Sequence, residues 1–149
     1  MTATGHAVIG TVLASQITNP YIGIPVAILS HLAADSFPHW DTGTNYKKKP
    51  FHIFWIQSLI DLGASFVLPF FLISYLSPQP NLFYLYTMVI SAQLLDWLAV
   101  PYVFLKLRFP PFSWLNNIQK PFDNRLDQPW GVILQVTILL VMIGYAKVF

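Results

Sequence analysis

Residues 51–105 carry only two charged side chains, Asp61 and Asp96, within two apolar runs divided by the uncharged turn Ser77-Pro78-Gln79-Pro80-Asn81. Each run is long enough to cross a hydrocarbon layer of about 30 Å with some tilt. In lipid, a segment must satisfy its own backbone N–H and C=O groups, so such runs fold as helices. This constraint admits one class, an all-α polytopic integral membrane bundle. Composition agrees, since hydrophobic residues make up 55% of the chain and charged residues 9%. A soluble domain carries about 25% charged residues.

Five apolar segments are expected. Residues 5–16 and 22–37 flank the turn signal Asn19-Pro20 and read as a short helical hairpin. Residues 51–76, 82–105 and 130–149 read as spans, with Pro69 and Pro101 as kink positions. Residues 108–129 hold four prolines, two arginines and recurrent aromatics, with Phe112, Leu115, Ile118 and Phe122 spaced by three or four. That stretch reads as an interfacial segment of a single transmembrane domain, 1–149. A structured loop on the protein's own surface is the competing reading.

Lysine and arginine set the orientation. Lys47, Lys48 and Lys49 lie in one loop, and Lys106, Arg108, Lys120 and Arg125 lie in another, two spans away. The positive side, and with it the N-terminus, is expected to be cytoplasmic. A net charge of +2 without a basic stripe argues against nucleic acid. The chain has no cysteine, so any metal must be held by nitrogen and oxygen.

In that frame the ionisable groups converge. His6 opens the first segment, His31, Asp35, His39 and Asp41 close the second, and His52 opens the third. Asp61 and Asp96 lie about nine residues from the same face, or roughly 14 Å deep. A charged Asp in mid-helix costs about 2.5–3.5 kcal/mol on insertion scales, and no lysine or arginine shares its depth. His31, Asp35 and, if the helix continues, His39 stack on one helix face. A metal ion would satisfy all these groups together. Two aspartates sharing a proton, Asp35 and His39 capping a helix end, and His52 as a plain interfacial histidine are the competing readings. The lysine run reads most simply as a topology signal.

The pattern His31-x3-Asp35-x2-Pro38-His39-x-Asp41, after Thr4-Gly5-His6-Ala7-Val8-Ile9-Gly10, resembles small bacterial membrane-bound metal-dependent hydrolases. That family is itself distantly similar to zinc-dependent phospholipase C, whose His-x3-Asp-x3-Pro-x-His pattern differs by one spacing. The resemblance covers residues 4–41, and 51–61 and 91–97 more loosely. An Arg-Gly-x-Thr-His-Ser element is lacking, and Phe51-His52 is its nearest substitute. The resemblance implies a multi-pass protein of the bacterial inner membrane.

The expected metal ligands are His6, His31, Asp35, His39, Asp61 and Asp96, around one or two divalent ions: zinc, or else manganese or iron. Asp41 and His52 are the candidates for proton transfer, and Lys47, Lys48, Lys49 and Arg108 for phosphate binding. The expected reaction is hydrolysis of a phosphoester or ester in a lipid-like substrate at the cytoplasmic face. The alternatives are a metal or proton transporter, and a non-enzymatic membrane protein with a structural metal. The orientation is tested by Lys48→Cys: a membrane-impermeant thiol reagent should label it from the cytoplasmic side alone, and labelling from outside reverses the topology.

Overall fold

A computed structural model describes residues 1–103 and 105–148, the side chain of Lys47 excepted. Among the described residues are six α-helices and no strand: α1 (Ala3–Gln16), α2 (Pro20–Ser36), α3 (Phe51–Leu76), α4 (Leu82–Val103), α5 (Phe112–Gln119) and α6 (Trp130–Val148). The all-α expectation therefore holds. Of the five expected apolar segments, three, α3, α4 and α6, are long and apolar enough to cross a membrane. The 14 residues of α1 reach about 21 Å at 1.5 Å per residue.

Local signals set the first two helices. Thr2 caps α1 by accepting the Gly5 N–H at 3.0 Å. Asn19 caps α2 by accepting the Tyr21 N–H at 2.9 Å, and Pro20 occupies the first turn, where its missing N–H costs nothing. The helix α2 ends at Ser36, just before Pro38, whose ring disfavours helical backbone at Phe37. His39 therefore does not continue the helical face. By contrast, α3 runs unbroken through Pro69, which is buried.

The short α1 lies at the centre. Residues 5–12 are all buried, and α1 packs on α3 and α4 and touches α6. A helix apolar on every side needs such an enclosure. The expected hairpin does turn back at residues 17–19, yet α2 lies mainly on α4. The long helices α3 and α6 leave Leu59, Ile60, Phe71, Leu140 and Val141 exposed on their outer faces, a surface suited to lipid contact.

The expected interfacial stretch contains one helix, α5, packed on α4, with Gln119 Nε2 donating to the Leu95 carbonyl at 3.0 Å. Trp114 and Ile118 on α5 are exposed.

Backbone approaches backbone closely where α1 meets α4. A Cβ added at Gly10 would stand 2.9 Å from the Met88 carbonyl oxygen and 3.1 Å from Val89 Cα, both backbone atoms that cannot turn aside. At Gly63, on α3, a Cβ would meet nothing within 4 Å. Gly10→Ala should therefore destabilise the purified protein by about 1–3 kcal/mol. Gly63→Ala should be neutral or stabilising by up to about 1 kcal/mol. Denaturant unfolding in detergent reads both, and equal effects would contradict the close approach.

Candidate metal centre

Four separate pieces of chain deliver the polar groups. The first turn of α1 carries His6, and the last turns of α2 carry His31 and Asp35. Asp96 lies on α4, and the loop after α2 carries His39 and Asp41. Segment 123–126 then closes over that loop: the Asn124 N–H donates to the Asp35 carbonyl at 3.0 Å and the His39 N–H to the Asn124 carbonyl at 3.2 Å. The Leu126 N–H donates to the His39 carbonyl at 2.7 Å. This short parallel bridge between His39 and Arg125 brings in Asp123 and Arg125.

Asp35 is nearly buried and touches all three site histidines. Its Oδ1 lies 3.2 Å from His6 Nε2 and 3.8 Å from His39 Nε2, and its Oδ2 lies 3.4 Å from His31 Nε2. Asp96 faces the same space, with Oδ1 3.5 Å from His31 Nε2 and Oδ2 3.9 Å from His6 Nε2. Donors 2.0–2.2 Å from a tetrahedral ion stand about 3.3–3.6 Å apart. The two carboxylate contacts of His31, at 3.4 and 3.5 Å, fall within that spacing, and the other three lie about 0.1–0.3 Å outside it. The rings of His6 and His31 stack at 3.9 Å, so both imidazoles approach the carboxylates side by side.

Hydrogen bonding fixes which nitrogen faces inward. His31 Nδ1 donates to the Ala92 carbonyl at 2.9 Å, and His39 Nδ1 donates to the Phe37 carbonyl at 2.9 Å. Each ring thereby presents an Nε2 lone pair, as metal-ligating histidines do. Burial, helped by the Met1 ammonium, pushes the His39 imidazole below its ordinary pKa and keeps that lone pair free at neutral pH.

The Nε2 atoms of His6, His31 and His39 are all buried without a hydrogen-bond partner among the described residues. Each such atom costs about 1–3 kcal/mol in desolvation. The cation that meets Asp35 here is the buried α-amino group of Met1. It stands where positive charge is favoured, and the surrounding donor set of imidazole and carboxylate suits zinc, manganese or iron. Two groups of donors are close enough to hold an ion: His6, His31 and Asp96, and His39, Asp41 and Asp123.

Of the expected ligands, His6, His31, Asp35, His39 and Asp96 are thus brought together; Asp61 lines the same cavity but belongs to neither donor group. Its two carboxylate oxygens accept the backbone N–H groups of Ala3 and Thr4 at 2.8 and 3.0 Å. It caps the positive end of α1, a use of the charge that needs no metal.

His52 is exposed and does not line the site cavity. Asp41 does line it, held by the Thr44 hydroxyl at 3.2 Å. The expected phosphate set is also displaced. Lys48 and Arg108 are exposed away from the cavity, and Lys47 lies outside the described residues. Lys49 donates to the Thr42 carbonyl and to Gln57 Oε1 and lies over the Trp40 ring. The cations that line the cavity are Lys120 and Arg125. Arg125 stays firmly protonated: burial works against its charge, but Asp123 and Asp41 outweigh it.

The cavity has a volume of about 560 Å³. Asp35, Asp41, Asp61, Asp96 and Asp123 line it, and Phe54, Leu59, Trp97 and Val100 supply apolar wall from α3 and α4. No family model, curated protein or solved structure matches this chain.

The assignments separate by experiment. The double variant His31→Ala/Asp35→Ala should lose bound metal on elemental analysis of purified protein. Asp61→Ala should keep its metal and instead lose about 0.5–2 kcal/mol of stability, the usual worth of a helix cap. Loss of metal in Asp61→Ala would return it to the ligand set.

Proposed function

We propose that the chain is a membrane-embedded metal-dependent hydrolase that cleaves a phosphoester or ester bond of a lipid-like substrate at the cytoplasmic face. The observation that carries this reading is the arrangement beside one cavity: buried, unpartnered imidazole nitrogens stand behind Asp35 and Asp96, which line the cavity together with an apolar wall. His6, His31, Asp35 and Asp96 would hold the ion, zinc being the best match to a mixed nitrogen and oxygen set. When bound, a divalent ion supplies Lewis acidity and acidifies water to a pKa near about 7.

The chain's own groups do the rest. Lys120 and Arg125 line the cavity and would hold a phosphate by charge-assisted hydrogen bonds. The faces of α3 and α4 around Leu59 and Val100 would take the acyl part of the substrate. Exposed apolar residues on the outer face of α3 would let a lipid reach the cavity from the leaflet rather than from water. The motif resemblance over residues 4–41 supports the same reading.

Vesicles of phospholipid containing the purified protein should release phosphate or phosphorylated head group when metal is present. The release should cease with a chelator and fall at least 100-fold in Asp96→Asn. Release that persists undiminished in Asp96→Asn removes that carboxylate from the reaction. Metal or proton flux in sealed vesicles without lipid cleavage would replace hydrolysis by transport.

A further inference from the structure

From the second donor group we infer that His39, Asp41 and Asp123 form a second divalent-cation site, joined to the first through Asp35 as a shared carboxylate. The inference rests on the metal reading above and extends it from one ion to two.

Three observations converge. The His39 side chain is fully buried, and its Nε2 points into the group with no hydrogen-bond partner among the described residues. That atom lies 3.7 Å from Asp123 Oδ1 and 3.8 Å from Asp35 Oδ1. The donor atoms of His39, Asp41 and Asp123 lie within 4.8 Å of one another. Meanwhile Asp35 gives its other oxygen, Oδ2, to His31 at 3.4 Å. Asp35 Oδ1 also lies 3.2 Å from His6 Nε2, so this one carboxylate reaches histidines of both groups, which is the placement a bridge needs.

Arg125 stands behind this second group. Its Nε donates to both oxygens of Asp123 at 2.8 and 2.9 Å and lies 3.4 Å from Asp41 Oδ2. Each carboxylate oxygen offers two lone pairs, so a guanidinium on one side leaves the other side open. Arg125 then orients two ligands, as outer groups commonly do in metal sites. Gly43 makes room for it, since a Cβ there would stand 2.6 Å from Arg125 Nη1 and 3.2 Å from Asp41 Oδ1. This assignment makes Asp41 a ligand rather than the proton acceptor expected from sequence.

The test uses the full chain in detergent, stripped of metal and titrated separately with zinc and manganese. Wild type should bind two equivalents, and Asp123→Asn and His39→Gln should each bind one. The manganese-loaded wild type should give the paramagnetic resonance of a coupled ion pair, and either variant that of an isolated ion. Asp41→Asn, which leaves the pairing of His39 with Arg125 intact, serves if the other variants lose their helical circular dichroism. It too should bind a single equivalent. One equivalent in wild type, or two in all three variants, overturns the second site. Two equivalents without coupling overturn the bridge. Because no hydrolysis is read, failure of the lipid reaction leaves this result untouched. A single equivalent together with lipid cleavage would remove the second ion alone.

Discussion

The carboxylate of Asp35 is the contact on which the rest of the architecture turns. An ionised carboxyl taken out of water costs several kcal/mol unless opposite charge and hydrogen-bond donors compensate it. Here the opposite charge is the buried α-amino group of Met1, and three imidazoles gather at the same carboxylate. His6 reaches it from α1, His31 from one turn back on α2, and His39 from the following loop. Its own backbone carbonyl accepts from Asn124, which ties in the segment before α6. Removing this one group would leave three inward-facing imidazoles without the carboxylate they all face.

The position of α1 follows from the same need. A helix of 14 residues is too short to serve as an independent span, yet its middle is apolar apart from Thr11. Enclosure by α3, α4 and α6 buries that apolar surface on every side. It also places the polar first turn of α1 beside the carboxylates. The unsatisfied N–H groups of that turn attract negative charge, and Asp61 supplies it. Two aspartates of similar depth therefore do different work. Asp61 answers a helix end, and Asp96 faces the histidines.

Depth was legible in the sequence, because 1.5 Å per residue converts position into level within a span. Rotation about the helix and competition among donors were not legible, and Asp61 shows the difference. His39 was found for an incomplete reason. Its spacing of four from Asp35 suggested a continued helix, but Pro38 stops α2, and a backbone bridge to Arg125 positions the ring instead. Arg125 was read as a topology charge, and neither it nor Asp123 was placed at the site, because their role depends on that long-range pairing. The available clue was Asp-x-Arg inside a proline-bounded segment on the charged side of the bundle. The lysine run misled in the opposite direction, since Lys49 is engaged by Thr42 and Gln57 outside the cavity.

The two ends of the bundle differ in a way that bears on mechanism. The far end holds a second cavity of about 510 Å³ bordered by Ser15, Thr18, Gln79 and Asn81, with no ionisable acid or base other than Tyr84 around it. Along α4, from that cavity toward Asp96, come Leu85, Met88, Val89 and Ala92, all fully buried. Ala7 of α1 and Ile73 of α3 pack against this row. The buried hydroxyl of Thr11 is already bonded to the Ala7 carbonyl. An ion crossing the bundle would have to exchange its ligands in a largely apolar stretch where Thr11, Ser91 and Gln93 are the buried polar side chains of α1 and α4, a passage that lipid-depth energetics penalise. Chemistry confined to one face carries no such penalty. A substrate that brings its own apolar tail can lie along α3 and α4 while its polar bond stays at the histidines, and this is the physical ground for preferring hydrolysis over transport.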